Sequence, residues 1–232
     1  MTDTLPLTAV IDEKNDRFTS GVKERLADLG GFSESALEWL MLEHFQFSFA
    51  NPGFLSTAAT TTQPLADKGI SAELWRNFEE ERGHAAIYRR ALSEIGSDVD
   101  AREEFPPTTR FLDTMATLTT SGASTALGVL YATETAAIFE HEVFWSISRE
   151  VCARRGHDWE TSTIKEFHDM HLGGVEQSHK DELGVFVDPA GGGAGDAAGE
   201  PVDRAAVLAG ADRAIDAMST WWTELLGRAA TR

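Results

Sequence analysis

Residues three apart on a helix share one face, with Cβ atoms about 5–6 Å apart. Two Glu/His pairs in this sequence have that spacing: Glu81 and His84 in EERGH, and Glu176 and His179 in VEQSH. A carboxylate and an imidazole so placed can share a metal ion. Two such pairs on different helices, joined by one Glu from each of two others, make the ligand pattern of a carboxylate-bridged di-iron or di-manganese centre. Glu43, Glu134 and Glu140 are candidates for the added acids, and His171 is a further candidate on the helix of Glu176. One E-x-x-H among 38 acidic residues carries little by itself, because Glu and His are common on solvated helix faces. The set is more specific than its parts. HLGGVEQSH puts two glycines inside a helix, at roughly 1 kcal/mol each, which points to a local requirement. Glu134 and Glu140 sit in a stretch rich in Ala, Leu, Val, Ile and Phe, where an unpaired buried carboxylate is costly. Oxygen and imidazole donors suit iron or manganese better than a copper–thiolate or structural zinc site.

Helices must position these residues. Ser33 opens SESALEWLMLEHFQFSFA, in which Leu37, Leu40, Met41, His44 and Phe45 recur at helical spacing. That helix is expected to stop near Asn51-Pro52-Gly53, with a weaker helical stretch over 54–69. A stronger helix spans 71–95, where Leu74, Trp75, Phe78, Ile87 and Leu92 follow the helical period and Gly96 stands just past the end. After the Pro106-Pro107 break, RFLDTMATL reads as helical. STALGVLYATETAAIFEHEVFWSISREVCARR is a long helix, apolar over much of its circumference, and 159–183 and 202–227 supply two more. Between the last two, DPAGGGAGDAAGEP reads as a surface linker; with no preceding strand and no following G-K-[ST], it is no phosphate cradle. No stretch alternates with period two. The expected fold is an all-α, single-domain bundle of about seven helices over 32–232, preceded over 1–31 by an N-terminal arm or short helix.

Composition sets the outer bounds. The 232 residues leave room for a sizeable core. The 20 Lys+Arg against 38 Asp+Glu give a formal charge of −18, which argues against nucleic acid or an anionic membrane surface as partner. With 42% hydrophobic residues the chain is too apolar for a disordered acidic protein. A lone cysteine, Cys152, excludes a disulfide framework and any cysteine-rich metal site. No apolar run approaches the ~20 residues of a membrane helix, and MTDTLPLTAVIDEKND lacks the features of an export signal. The expectation is a cytoplasmic protein with a small-molecule partner, assembled as a homodimer. Trp75, Trp145, Trp221 and Trp222 read as helix packing. Phe45, Phe47 and Tyr131 are core residues that double as candidates for lining a substrate cavity.

The elements NFEEERGHAAIYRRALSEIG, LGVLYATE and FHDMHLGGVEQSHKDEL together resemble the haem-oxygenase-like di-iron oxidases and oxygenases, relatives of the thiaminase-II and PqqC folds. The resemblance covers roughly 37–187. It implies Glu81 and His84, then Glu134, then His171, Glu176 and His179 as metal ligands. It further implies two Fe(II) ions, with manganese as the alternative metal, O2 as co-substrate and an external electron donor. The implied reaction is oxidation of an amino-acid-type or fatty-acid-type metabolite in natural-product biosynthesis, by N-oxygenation, desaturation or C–C cleavage.

Two departures from the family pattern matter. His171-x4-Glu176 is one residue longer than usual, and at about 100° per residue the two would point roughly 140° apart on a regular helix. A π-bulge absorbs such an extra residue, and Gly173-Gly174 falls where it is needed; without one, His168 substitutes for His171. The Glu-to-His interval on the first metal helix is shortened, so Glu80 competes with Glu81. Glu140 likewise competes with Glu134, and Glu43 stands open as a further acid. Two other classes remain: a metal-free thiaminase-II/PqqC-like enzyme with a cysteine nucleophile, and a ferritin-like iron-handling protein.

Overall fold

A computed structural model describes residues 5–188 and 199–232. Nine α-helices make up the described chain: α1 (Leu7–Arg25), α2 (Glu34–Thr61), α3 (Lys68–Glu81), α4 (His84–Glu94), α5 (Pro106–Thr120), α6 (Ala123–Arg155), α7 (Thr163–Met170), α8 (Glu176–Val187) and α9 (Arg204–Ala229). Only Arg82 and Gly83 part α3 from α4, and a π-helical segment, His171–Val175, carries α7 directly into α8. The nine therefore behave as seven rods, the number expected from the sequence. One isolated bridge, Leu65 to Glu200, is the only β pairing among the described residues. No helix of the described chain is long and apolar enough to cross a membrane.

The central rod is α6, enclosed nearly all round in its first half, which packs against α9, α2, α8, α5, α1 and α7. A helix segment so enclosed can carry carboxylates and imidazoles only where other groups meet them. Its closest neighbour is α9. A Cβ built on Gly128 of α6 would lie 1.9 Å from the Val207 carbonyl oxygen, and one on Gly210 of α9 would lie 2.3 Å from that of Thr125. The two glycines let the backbones touch.

Two expectations about the elements change. The α2 helix does not stop at Pro52 but runs through it to Thr61. Proline removes one backbone donor and costs a helix interior about 3 kcal/mol. Beyond it, however, Phe54, Leu55, Ala58 and Ala59 go on burying the core side of the rod, at about 1.5–3 kcal/mol per large apolar side chain. Within residues 5–31, expected as an arm or a short helix before the main domain, α1 takes up nineteen residues, and its Leu7, Ile11 and Val22 join the core. Ile11, Asn15, Thr19 and Val22 are buried at helical intervals, and the polar pair in the middle hides the period. The expected Gly/Ala-rich linker lies largely at 189–198, outside the described residues.

Candidate metal centre

Three rods bring the candidate ligands together. On the first, the break at Arg82-Gly83 falls inside the E-x-x-H motif, so Glu81 ends α3 and His84 begins α4. The pair still meets, with His84 Nδ1 2.9 Å from Glu81 Oε2. On the second, α6 supplies Glu134, Glu140 and, seven residues after Glu134, His141. On the third, α7 and α8 supply His168, His171, Glu176 and His179.

The extra residue between His171 and Glu176 is taken up as the glycines suggested. The wide π turn spans His171–Val175, with Gly174 at φ +110°. It leaves His171 Nε2 3.8 Å from Glu176 Oε1, on one side of the rod. Gly174 adopts a backbone conformation that side-chain-bearing residues rarely reach, whereas Gly173 does not and has open space around it. Gly174→Ala should therefore cost at least about 1–2 kcal/mol, and Gly173→Ala should be neutral or stabilising by up to about 1 kcal/mol. Urea unfolding of the two variants checks this; the reverse order would mean that the turn is not set by Gly174.

Six residues implied as ligands fall into two linked groups of donors. Glu81, His84 and His171 converge, with His171 Nε2 3.1 Å from His84 Nδ1. Glu134, Glu176 and His179 converge as well, His179 Nδ1 lying 3.6 Å from Glu134 and 3.9 Å from Glu176. Glu176 ties the groups together, since its other oxygen faces His171. The outer nitrogens are occupied. His171 Nδ1 donates to the Phe167 carbonyl at 2.7 Å, and His179 Nε2 lies 2.8 Å from Glu80 Oε2. Glu80 thus stands behind His179, while Glu81 faces His84.

The other acids are used elsewhere. Glu140 accepts from Trp222 Nε1 at 2.9 Å and faces His44; burial pushes it up to about 7 against the pull of that indole. Glu43 accepts from Arg102 at 2.8 Å and from Thr108 at 2.6 Å. Among the described residues it belongs to none of the converging donor groups. Cys152 is buried near the far end of α6, eleven residues and about 16 Å along the axis from His141. Trp75 is exposed, unlike Trp221 and Trp222, which are fully enclosed. Tyr131 gives its hydroxyl to Asp12 at 3.0 Å, away from the donors.

Sequence reasoning missed His141. Its ring lies flat on that of His171, centroids 3.9 Å apart, and its Nε2 is 3.6 Å from Glu176 Oε1. The signal was present in YATETAAIFEH, where Glu134 and His141 are two helical turns apart and so share a face.

Electrostatics mark the cluster as unfinished. Burial, and then the charges of Glu134 and Glu81, push Glu176 well above the usual carboxylate range. Burial opposes a charge on His179, yet Glu134, Glu80 and Glu176 outweigh it and hold the imidazole up to about 10. His171 is lowered to about 4 and His44 to about 3, in both cases chiefly by burial. Glu81 Oε1 and His179 Nδ1 are buried without any hydrogen-bond partner, although such atoms are costly to leave unpaired. Buried carboxylates and imidazoles with unspent lone pairs, and no thiolate among them, fit iron or manganese. A cavity of about 30 Å³ adjoins the first group, lined by Glu81, His84, His141, His171 and Glu176, with Glu140 beside them. It has room for about one water-sized molecule.

Several known proteins share this arrangement of helices. A cadd-like protein of unknown function from Nostoc punctiforme superposes with a TM-score of 0.76 at 21% identity, over 96% of this chain and 94% of that one. A domain of unknown function with a heme oxygenase-like fold from Shewanella denitrificans gives 0.67 at 13% identity, over 95% and 89%. A TenA homolog from Pseudomonas syringae gives 0.66 at 13%, over 95% and 91%. At these identities the likeness shows the fold, which is haem-oxygenase-like. A comparison with curated proteins gives no match. Residues 39–218, well over half of the chain and including every donor named above, match the family model described as iron-containing redox enzyme. With a fold of that kind and an iron-compatible set of buried donors at its centre, the chain belongs to the family of iron-containing redox enzymes.

Proposed function

We propose that the protein is an O2-dependent oxidase or oxygenase working with two ferrous ions, one held by Glu81, His84 and His171 and the other by Glu134 and His179, with Glu176 between them. The observation that carries this reading is the position of Glu176, whose two oxygens face different donor groups. Bound iron would supply the electrons that O2 needs. The chain's own residues do the rest. Phe167 and Glu80 hold the imidazoles of His171 and His179 with their inner nitrogens free, as partners of metal-bound histidines do. The small cavity beside Glu81, His84, His171 and Glu176 has room for a molecule the size of O2.

Charge supports an acidic substrate. Three carboxylates, Glu81, Glu134 and Glu176, do not cancel the charge of two ferrous ions, so a substrate carboxylate would complete the balance. Amino acids and fatty acids both supply one, and an external donor would return electrons where the reaction demands them. Anaerobic titration with ferrous iron should saturate near two ions per chain. A subsequent pulse of O2, followed by an oxygen electrode, should then be consumed faster with one substrate class of a panel of amino acids and fatty acids. Failure to bind Fe(II), with Mn(II) and Zn(II) equally silent, would overturn the metal reading.

A cysteine nucleophile is the competing chemistry. Burial raises the Cys152 thiol, which disfavours the thiolate that attacks. Cys152→Ala is expected to leave O2 consumption within about twofold of the parent, as measured on the iron-loaded enzyme; loss of turnover there, with iron uptake intact, would favour the nucleophile.

A further inference from the structure

The geometry points to His141 as a seventh ligand, its Nε2 directed at the ion held by Glu81, His84 and His171, and to His168 and Ser148 as the groups that fix it there. This rests on the proposed two-metal reading and adds to it a donor outside the six that the sequence resemblance implies.

Nε2 of His141 is 3.6 Å from Glu176 Oε1, too long for a hydrogen bond. It is a separation that two donors of one ion adopt at bond lengths of about 2.0–2.2 Å. His171 Nε2 approaches the same Glu176 oxygen at 3.8 Å, and the two imidazoles stack nearly parallel. His141, His171 and Glu176 thus form a converging trio within the larger cluster.

The opposite edge of the ring shows which nitrogen is free. Nδ1 of His141 is 3.3 Å from Nδ1 of His168. Nε2 of His168 is 3.2 Å from Ser148 Oγ, and that hydroxyl lies 3.3 Å from the Met41 sulfur. A thioether only accepts. With the Ser148 hydroxyl donating to Met41, it must accept from His168 Nε2–H. His168 Nδ1 then accepts from His141 Nδ1–H, and the lone pair of His141 is left on Nε2, facing the donors. All of these atoms are buried, so water does not reset the order. A histidine serving only as packing would not need its tautomer fixed through three residues.

The test uses the full chain loaded with Co(II), whose paramagnetism shifts the ring N–H proton of each coordinated histidine far downfield. Four solvent-exchangeable signals are expected, from His84, His141, His171 and His179. His141→Gln should remove one. In His168→Ala, the His141 signal should stay shifted but exchange with solvent faster, with Co(II) affinity about 10–100-fold weaker in chelator competition. Ser148→Ala, a smaller change, should weaken affinity in the same direction by less. Three signals in the parent protein, unaltered by His141→Gln, would overturn the seventh ligand while leaving the two-metal centre standing. No uptake of Co(II) would overturn both.

Discussion

His179→Ala is expected to lower O2-dependent turnover by at least about 100-fold while the helical content of the protein stays unchanged. The imidazole is fully enclosed and lies between Glu80 on one side and Glu134 and Glu176 on the other. Removing it strips the second ion of its only nitrogen donor among the six implied ligands, a larger loss than the 10–100-fold typical of groups one step further out. The helix itself has other anchors. Leu183 and Val187 bury in the core, Lys180 pairs with Asp12 at 2.9 Å, and Asp188 accepts from Thr8 at 2.7 Å. Iron bound per chain should fall from about two to about one, because Glu81, His84 and His171 are untouched. Circular dichroism and an iron assay on one sample decide it. Unchanged stoichiometry would mean that His179 serves the fold and not the metal.

Gly128→Ala carries the largest expected effect on stability. The added carbon would sit 1.9 Å from the Val207 carbonyl oxygen, and that neighbour is backbone of another helix, with no rotamer to change. Overpacking of this kind costs about 1–3 kcal/mol where side chains can yield, and more where they cannot, so about 3 kcal/mol or more is expected. The contact is reciprocal, since Gly210 meets Thr125 in the same way. Forcing α6 from α9 would also strain the bond from Trp222 to Glu140. Urea unfolding should show a large drop in midpoint; a drop of less than about 1 kcal/mol would mean that the helices part freely.

Much of the fold was legible because its signals are periodic. The long α6 announced itself by its long apolar run, and the two Glu/His pairs stood out by type and spacing, while Glu134 and His171 joined them through the family resemblance. Even the irregular turn was readable: one residue too many between His171 and Glu176, and two glycines where the excess had to go. What sequence did not show depends on contacts between distant segments. Pro52 looks like a stop signal until Phe54 and Leu55 are seen to bury against other rods. Glu80 and Glu81 are indistinguishable by spacing, and only the positions of His179 and His84 separate them. Sequence leaves Glu43 open as a further acid beside Glu134. Arg102 and Thr108, far along the chain, claim the first. His141 was hidden by the two-pair pattern, which directs attention to E-x-x-H and away from a histidine without a partner three residues back.

The pairing of α1 with α8 and α9 bears on the order in which the molecule forms. Thr8 and Asp188 are 180 residues apart in sequence, and Lys14, which pairs with Asp212, is 198 residues from it. The entropy lost in closing such long loops grows only logarithmically, by about 0.6 kcal/mol per doubling. Contacts of large sequence separation are nonetheless what slows folding. The α8 helix, with Glu176 and His179, finds its place beside α6 and α1 only after all the earlier rods have been made. The early rods are then free to collapse, but the donors cannot converge until the last ones dock. Iron is therefore expected to enter late, captured by a chain whose rods through α8 have already docked and not by a folding nucleus.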